Sequence, residues 1–501
     1  MKQIMRFPGW DGGVINALPM SRIPINALNK SQNMYWEDGW LKKMRGLAEI
    51  NGTAIGASSV YSIFRYHKLL PKTNILLMNT GDGVYKFDEQ TDLFSSVITD
   101  LTPDQRVEYM EHKNSVYFGS RKDLWRRWDG GIQTYTIGGG EGLSATSPKK
   151  FSKILFAAYA GRFLGIGEEE NPDLMRFSDH IDLNGIEEWE DGNSQIIESI
   201  RGDTPRTFDI YEGRVTFFNE FSISSGNIVG VPASWTFDRE KAQAGTISSA
   251  TVKRFGNFFL MFTPDFEIYK WPNDVFVTKG RVKLYPNPYR AHLACAEIVD
   301  NRYYYLAFES SEVTTGLTER YHLWVYDILA DKFYGPHKGF NLTSMYWDAD
   351  TNLLLCGGAD DIAGTVFEHI GRTIKGQAQK VRVRTGFYDF DIPHIDKRYT
   401  KVHVKTKQEG ADDFQLSVNV DNRFDRTQSQ ILVMQDPAND NLMETGAVKE
   451  AVTKRAHIHE QFGRGNAVNF EINHEIANGD LQIAELELEY YTKYLKEARG
   501  V

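Results

Sequence analysis

Residues 256–271 read Gly-Asn-Phe-Phe-Leu-Met-Phe-Thr-Pro-Asp-Phe-Glu-Ile-Tyr-Lys-Trp, and they carry the pattern from which the architecture follows. A Gly-Asn turn leads into a strand dense in aromatic residues, and a further strand ends at Trp271. Gly and Asn tolerate the positive φ that two-residue hairpin turns demand. The stretch therefore predicts an antiparallel hairpin with a third strand beside it.

The same unit recurs seven times along the chain, at spacings of 40 to 52 residues. Each copy has a turn residue followed by a strand rich in β-branched and aromatic side chains. The turn residues are Asn74, Asn114, Gly161, Gly213, Gly256, Asn301 and Asn352. A third strand with an aromatic signature follows each hairpin, at residues 85–88, 125–129, 175–179, 235–238, 268–271, 324–327 and 366–368.

A short antiparallel unit that repeats at this period is typical of a propeller blade, because radial repetition leaves only short, protected sheet edges. We predict an all-β chain in which residues 51–378 form a six- or seven-bladed β-propeller. The period is irregular and lacks a strict consensus, which argues against a WD or kelch array. A large all-β sandwich built from hairpins is the alternative.

The last part of the chain has a different pattern, in which apolar and polar residues alternate strictly. Val381 and Val383 alternate with two arginines, and the same alternation occurs at residues 401–405, 414–420, 468–472 and 485–490. Strands with one apolar and one polar face pack on a core from one side. Residues 379–501 are therefore predicted to form an antiparallel β-sandwich-like domain, with residues 435–451 as a long exposed loop.

The first 50 residues read as an extended N-terminal arm followed by a hairpin around Asp38-Gly39. Two placements fit the arm. It could lie across a neighbouring subunit, or it could supply a strand to the last blade, which would otherwise keep an unpaired edge. Aromatic and basic side chains in the hairpin are of the types that anchor interfaces. The candidate subunit-interface residues are Tyr35, Trp36, Trp40, Lys42, Lys43 and Arg45.

The composition is that of a soluble globular protein, with 501 residues of which 41% are hydrophobic and 25% charged. The net charge of −10 argues against a surface that grips nucleic acid by counterion release, and suits a channel through which DNA slides. Cys295 and Cys356 are the two cysteines, so we expect free thiols and assembly in a reducing compartment. Neither a signal peptide nor a membrane-spanning stretch is predicted.

No phosphate-binding loop, dinucleotide fingerprint, nucleophile elbow or two-histidine zinc helix occurs in the sequence. His457 and His459 alternate on a predicted strand and could share an ion, but two ligands at this spacing are common by chance. Acidic runs at 168–170, 187–188 and 360–361 invite a glycoside-hydrolase interpretation, yet adjacent carboxylates usually mark solvated loops. We expect no catalytic residue, no cofactor, no metal site and no enzymatic activity.

Several segments carry a family resemblance. The opening combines Gly12-Gly13, Asn33 and the basic turn at 42–46, and blade motifs occur at 176–179, with Trp189 downstream, at 211–215 and at 256–264. Together these segments resemble the tail β-propeller proteins of short-tailed bacteriophages. The resemblance spans most of residues 10–370. Members of the family commonly have Lys-Arg-Pro-Gly at the basic turn, whereas this chain lacks the proline there.

The resemblance implies a structural virion protein that forms the tail nozzle or hub as a homohexameric ring lining the DNA ejection channel. The implied partners are copies of the chain, the tail adaptor and portal-proximal ring proteins, tail fibres or spikes, and double-stranded DNA that passes without sequence-specific binding. It further implies location in the virion tail after assembly in the host cytoplasm, without membrane insertion. A receptor- or glycan-binding tail propeller and a polysaccharide-cleaving propeller enzyme are the alternatives.

Overall fold

The computed structural model describes residues 2–7, 9–132, 134–137, 150–179, 189, 192–197, 203–242, 244–312, 319–390, 393, 395–407, 414–421, 427–432, 452–457, 464–476 and 481–492. Within these ranges the regular structure is almost wholly β. The helical segments there are short 3-10 turns at Met20–Arg22, Pro232–Ser234, Ser249–Thr251, Ala291–Leu293 and Asp360–Ile362. No helix in this described part is long and apolar enough to cross a membrane.

Five strands lie in the first 50 residues. They are β1 (Lys2–Phe7), β2 (Leu28–Gln32), β3 (Met34–Glu37), β4 (Trp40–Lys43) and β5 (Ala48–Glu49). Strands β3 and β4 pair as an antiparallel hairpin in which Glu37 lies opposite Trp40. Asp38 and Gly39 both have positive φ at its turn, as the Asp-Gly sequence favours.

Seven four-stranded antiparallel sheets follow, in a propeller-like arrangement. Sheets 1 to 3 are β6 (Val60–Lys68), β7 (Thr73–Thr80), β8 (Gly83–Asp88) and β9 (Leu93–Ile98); β10 (Glu108–His112), β11 (Ser115–Gly119), β12 (Arg126–Trp128) and β13 (Thr134–Thr136); β14 (Lys153–Ala157), β15 (Arg162–Ile166), β16 (Leu174–Phe177) and β17 (Ser194–Ile196). Sheets 4 and 5 are β18 (Pro205–Tyr211), β19 (Arg214–Asn219), β20 (Ile223–Asn227) and β21 (Thr236–Ala242); β22 (Lys253–Phe255), β23 (Phe258–Phe262), β24 (Ile268–Trp271) and β25 (Val275–Phe276).

Sheet 7 differs from the others in the origin of its fourth strand. Sheet 6 is β26 (Cys295–Val299), β27 (Tyr303–Glu309), β28 (Tyr321–Asp327) and β29 (Lys332–His337), and sheet 7 contains β30 (Leu342–Asp348), β31 (Leu353–Gly358) and β32 (Val366–Glu368). The fourth strand of sheet 7 is β5 from the N-terminal segment, which pairs with β32. Every residue of β27 and β28 is buried, because these middle strands are covered on both faces.

The hairpin pattern of the sequence corresponds to the first two strands of each sheet. Positive φ occurs at five of the predicted turn residues, Gly161, Gly213, Gly256, Asn301 and Asn352. Asn74, in contrast, lies inside β7, so the first turn comes earlier in the chain than predicted. The aromatic segment 235–238 falls on the fourth strand of sheet 4, because β20 intervenes as an additional strand without aromatic residues.

Seven hydrophobic clusters hold the sheets to one another, one between each pair of neighbours. Tyr66 of sheet 1 packs with Val116 and Phe118 of sheet 2, for example. The series includes a cluster between sheet 7 and sheet 1, which contains Leu355 and Val60. Each fully buried aliphatic or aromatic side chain contributes about 1.5–3 kcal/mol, so these interfaces supply most of the stabilisation of the arrangement.

Polar contacts join sheet 7 to sheet 1 beside that cluster. The hydroxyls of Thr343 and Ser344 donate to the carbonyl oxygen of Val60 at 2.9 and 2.7 Å. Arg65 Nη2 lies 2.6 Å from Asp348 Oδ2, with both side chains at least nine-tenths buried. A buried ion pair of this kind depends on keeping both partners.

The C-terminal part contributes a small hairpin and two larger sheets. The hairpin is β33 (Thr373–Ile374) and β34 (Gln377–Ala378), and the later strands are β35 (Val381–Thr385), β36 (Lys397–Lys407), β37 (Phe414–Val420), β38 (Thr427–Leu432), β39 (Val452–His457), β40 (Arg464–Gly465), β41 (Val468–His474) and β42 (Gln482–Thr492). One sheet has the order β2-β35-β41-β37-β38. The other has the order β3-β4-β42-β36-β39, with β1 on β42 and β40 on β36.

One hydrophobic core joins these two C-terminal sheets to sheets 5 and 6. Val402 and Leu488 from one C-terminal sheet and Val418 from the other belong to the same cluster as Leu260 of sheet 5 and Leu306 of sheet 6. The predicted alternation is present in β35, whose valines are buried and whose arginines are partly exposed. The C-terminal sheets are thus packed on the propeller-like part through a shared hydrophobic core.

The N-terminal segment differs from the predicted extended arm. Strands β1 and β4 pair with β42, and β2 pairs with β35, so four of the five N-terminal strands belong to the C-terminal sheets. Strand β5 is the strand supplied to the last sheet, which is one of the two predicted placements. The segment adopts this course because each strand satisfies its backbone groups on an otherwise open sheet edge.

We predict that replacing Asp348 by Ala lowers the free energy of unfolding by about 3–5 kcal/mol, because Arg65 is left as a buried charge without its partner. Urea denaturation of the full chain measures the change. Asp265→Ala is the matched control, since Asp265 is exposed. The double variant Arg65→Met with Asp348→Leu should regain most of the loss. An equal effect of Asp348→Ala and Asp265→Ala would contradict the role of the pair.

Candidate functional site

A cavity of about 440 Å³ lies between the first strands of six sheets, which we call the inner strands. We refer to it as the axial cavity. Sheets 1, 2, 3, 5, 6 and 7 all contribute side chains to its wall, among them Phe64, Tyr109, Lys153, Lys253, Glu297 and Tyr346. The rings of Phe64 and Tyr109 are stacked with centroids 5.2 Å apart, and Tyr346 meets Phe64 edge-on at 6.0 Å. The wall therefore combines an aromatic side with polar and charged groups, as small-molecule pockets commonly do.

Arg106 lies at the end of the cavity where the inner strands begin. Its Nε donates to the carbonyl oxygen of Tyr61 at 3.0 Å, and its Nη2 donates to those of Leu293 and Thr343 at 2.9 and 2.8 Å. Its Nη1 donates to Ser248 Oγ and to the carbonyl oxygen of Ala294, both at 3.3 Å. All five N–H donors of the guanidinium thus find acceptors.

These acceptors come from the segments that start sheets 1, 5, 6 and 7, while Arg106 itself precedes the first strand of sheet 2. Burial lowers the pKa of Arg106 from its ordinary value. A guanidinium keeps its proton even so, because its ordinary pKa is above 12. The side chain therefore acts as a charged tie that joins five sheets at the axis.

Three of the other charged groups of the wall, Lys253, Glu297 and Glu108, have polar partners. Lys253 Nζ lies 2.7 Å from Glu297 Oε2, and Ser249 Oγ donates to Glu108 Oε1 at 2.9 Å. Burial raises the pKa of the Cys295 thiol to about 12, so this cysteine stays protonated and is a poor nucleophile at neutral pH. The wall is suited to holding a polar ligand by hydrogen bonds and stacking.

Two of the three aromatic residues of the predicted interface, Tyr35 and Trp36, pack against other parts of the chain. Tyr35 packs edge-on against Tyr303 at 6.2 Å, and Trp36 packs between the two largest hydrophobic clusters. Trp36 also covers Gly9, where any side chain would collide with the indole ring. Tyr35 and Trp36 therefore dock the hairpin on sheet 6 and the C-terminal sheets.

The basic residues of the predicted interface separate into different environments. Lys43 is fully buried, and its Nζ donates to the carbonyl oxygen of Ile476 at 3.0 Å, so it is withdrawn from the surface. Lys42 forms ion pairs with Glu37 and Asp38 of its own hairpin, both at 3.0 Å. Arg45 is exposed and Trp40 is half-buried. Of the six predicted residues, these last two are the ones free to meet a neighbour.

Two buried histidines hold the ends of the β3–β4 segment, and the sequence does not single them out. His337 Nδ1 accepts the N–H of Asn33 at 2.9 Å, and His369 Nδ1 lies 3.0 Å from the carbonyl oxygen of Gly46. The side chain of Asn33 also donates to the carbonyl oxygen of Lys380 at 2.9 Å. Burial lowers the pKa of His337 to about 3 and that of His369 to about 4, so both are neutral at pH 7.

The acidic runs that fall within the described residues pair with separate neighbours. Glu168 pairs with Arg176 at 3.0 Å, Glu169 pairs with Lys122, and Asp361 accepts a hydrogen bond from Asn341. Residues 187–188, the loop 435–451 and residues 458–460 of the histidine motif lie outside the described residues. Within the ranges that the structure describes, no group of three or more His, Cys, Asp or Glu side chains is arranged to hold a metal ion.

No protein-family model matches the chain, and no curated protein matches it significantly. Two solved structures that resemble it are crystal structures of extracellular domains from B. thetaiotaomicron, described as belonging to a hybrid two-component system and to a one-component system. They are 11% and 10% identical, cover 87% and 89% of this chain, and give a TM-score of 0.42 in both cases. The chain spans 61% of the length of each of those domains.

We predict that Arg106→Met lowers the free energy of unfolding by about 3 kcal/mol or more, because buried carbonyl groups lose their donors. Arg106→Lys should recover only part of this loss, since an ammonium group has three donors and no planar fork. Urea denaturation provides the measurement, with the exposed Arg22→Met as control. If Arg106→Met has the same free energy of unfolding as the wild type, the hydrogen bonds of Arg106 are not needed for stability.

We also predict an acid-sensitive hairpin. An unfolded chain binds a proton at each histidine near pH 6.5, whereas His337 and His369 resist protonation until about pH 3 and 4. Stability conferred by the neutral histidines is therefore complete above pH 6.5 and is lost as the pH falls toward 4. His337→Gln should flatten the decline by about 1.4 kcal/mol per pH unit, measured by urea denaturation between pH 6.5 and 4. An unchanged slope would contradict this assignment.

Proposed function

We propose that this chain is a structural virion protein, a subunit of the ring that forms the tail nozzle or hub of a short-tailed bacteriophage. The observation that supports this function is the single hydrophobic core shared by sheets 5 and 6 and both C-terminal sheets. A subunit that must keep its shape while DNA is driven past it needs domains that cannot hinge. A shared hydrophobic core meets that need, whereas domains that move usually meet through smaller, more polar interfaces.

The proposal includes a closed seven-bladed propeller as the rigid part of the subunit. It is supported by the seven sheets, by a hydrophobic cluster between each neighbouring pair, and by the strand that β5 adds to sheet 7. Arg106 adds a central tie, because its acceptors belong to four different sheets. In this arrangement the DNA channel lies on the axis of the subunit ring and not inside the propeller.

The net charge of −10 is compatible with a wall along which DNA slides without sticking. Attractive contacts to phosphates would hold the nucleic acid and slow its passage, since each such contact adds a salt-dependent binding term. The proposed partners are therefore copies of the chain, adaptor and portal-proximal ring proteins, and tail fibres or spikes, with DNA as the cargo. The proposed location is the virion tail.

The axial cavity favours a second candidate function, the binding of a glycan or another receptor group. Three aromatic rings from sheets 1, 2 and 7 pack together at its wall, with Phe64 stacked on Tyr109 and in edge contact with Tyr346. Aromatic faces beside a few fixed polar groups are the usual composition of a small-molecule site. A glycan array with the purified chain tests this function separately from assembly, and a reducing-sugar assay tests for cleavage.

We predict that the purified full chain forms particles of about six times its 57.2 kDa mass, alone or on an adaptor ring. Light scattering and native mass spectrometry measure the mass. Trp40→Ser with Arg45→Glu should shift the particles toward monomers with little effect on stability, because these two side chains reach the surface of the hairpin. Tyr289→Ser with Arg22→Glu is the control pair, since both of its residues are exposed elsewhere.

Two results would contradict the proposal. One is a chain that stays monomeric at all concentrations, both alone and with the adaptor ring. The other is turnover of a polysaccharide by the isolated monomer. If hexamers still form after the Trp40 and Arg45 substitutions, the proposed ring stands, but its subunit contact lies on another surface.

A further inference from the structure

A charged cleft lies between the five-stranded C-terminal sheet and the end of sheet 6. Its cavity has a volume of about 310 Å³. Four cations face it, Lys30, Lys338, Lys380 and Arg382, together with Gln32 and Asn473. Lys30 also lines a second cavity of about 150 Å³ on its other side, next to Lys283 and His322. The side chain of Lys30 therefore stands between two open spaces.

The register of β2 on β35 places the cations of the cleft together. Lys30 lies opposite Arg384, and Gln32 lies opposite Arg382. Side chains of directly paired residues, and of residues two positions apart, share one face of a sheet. Because Val381 and Val383 take the face buried in the hydrophobic core, both arginines and Lys30 take the opposite face, on which Lys30 and Arg382 line the cleft.

Glu471 on the neighbouring strand β41 neutralises only the arginines. Its two carboxylate oxygens accept from Arg382 Nε at 2.7 Å and from Arg384 Nη2 at 2.6 Å. Both arginines lower the pKa of Glu471, against the raising effect of burial, so the carboxylate is ionised. The carboxylate of Glu471 is thus shared by two arginines, and it is not hydrogen-bonded to Lys30.

The two lysines that border sheet 6 lack a hydrogen-bonded counter-ion. Lys338 Nζ lies 3.7 Å from Glu312 and 3.9 Å from Glu319, which is beyond hydrogen-bonding distance. Lys30 forms no ion pair with any residue of the described ranges. The remaining carboxylate of the cleft, Glu475, is exposed and faces Lys380 at 3.7 Å.

This arrangement carries an energetic cost in the empty protein. Like charges on directly opposed residues of an antiparallel pair repel each other, as at Lys30 and Arg384. Burial, followed by the charges of Lys338, Arg382 and Arg384, lowers the pKa of Lys30 to about 8, against the smaller raising effect of the Glu312 carboxylate. At pH 7 the ammonium group is still mostly protonated, so an anion that entered the cleft would meet a charged and desolvated donor.

We propose that this cleft is a binding site for a phosphate-type oxyanion, held by Lys30 and Lys338 with Arg382 and the amides of Gln32 and Asn473 beside them. A tetrahedral oxyanion suits the site because its several oxygens can accept from donors on β2, on β35 and beyond β29 at once. The volume exceeds that of a single phosphate, so the site has room for a phosphate group that belongs to a larger molecule. The inference does not depend on the proposed function.

The test titrates the full chain with inorganic phosphate at pH 7 by isothermal calorimetry, in a chloride buffer of matched ionic strength. Binding by the wild type is expected, and Lys30→Gln should weaken it by about tenfold or more, because a charge-assisted hydrogen bond is lost. Lys338→Gln should act in the same direction. The controls are Lys72→Gln and Lys113→Gln, whose lysines are exposed and distant from the cleft.

A second measurement protects the test against unfolding of a variant. In phosphate-free buffer Lys30→Gln should be at least as stable as the wild type, since it removes a positive charge that has no hydrogen-bonded counter-ion. Added phosphate should raise the melting temperature of the wild type more than that of Lys30→Gln. A parallel titration uses a phosphodiester oligonucleotide in place of inorganic phosphate. If the oligonucleotide binds more tightly than inorganic phosphate, the phosphate group recognised by the cleft belongs to a polymer. Absence of binding in every arm, or equal binding by wild type and Lys30→Gln, would overturn the proposal.

Discussion

The constraint on which the structure depends is the satisfaction of backbone groups where the first strands of the sheets meet. Four carbonyl groups at or just before the start of these strands point toward the same space. Arg106 resolves this with one planar group that supplies all the donors. The guanidinium of Arg106 is buried, and it hydrogen-bonds to no carboxylate among the described residues. The buried charge is tolerated because five oxygen acceptors replace the water that solvated it.

Away from the axis, rigidity comes from the path of the N-terminal segment. It contributes strands to both C-terminal sheets, is held by His337 and His369, and ends as the outer strand of sheet 7. This path ties both C-terminal sheets to sheet 7, as the proposed structural role requires.

The axial cavity and the cleft beside β2 differ in how their charged groups are partnered. In the axial cavity Lys253 forms an ion pair with Glu297 at 2.7 Å, and the guanidinium of Arg106 has an oxygen acceptor for each of its N–H groups. In the cleft beside β2, Glu471 is occupied by two arginines and the ammonium groups of Lys30 and Lys338 have no hydrogen-bonded counter-ion among the described residues. A largely buried ammonium group without a hydrogen-bonded acceptor is costly, and this is the reason for expecting an anion in the cleft.

The amino-acid sequence by itself determined the local elements: the hairpin at Asp38-Gly39, the turns at Gly161 or Asn301, the aromatic strands, and the alternation in β35. These depend on neighbouring residues, through turn geometry and the two-residue period of a strand. Only the tertiary structure decided that β1 to β4 complete the C-terminal sheets, that Tyr35, Trp36 and Lys43 face inward, and that Arg106 and Lys30 occupy special positions. Their environments are built by residues more than 140 positions away, such as Leu293 for Arg106 and Arg384 for Lys30, and no periodicity in the sequence encodes such contacts.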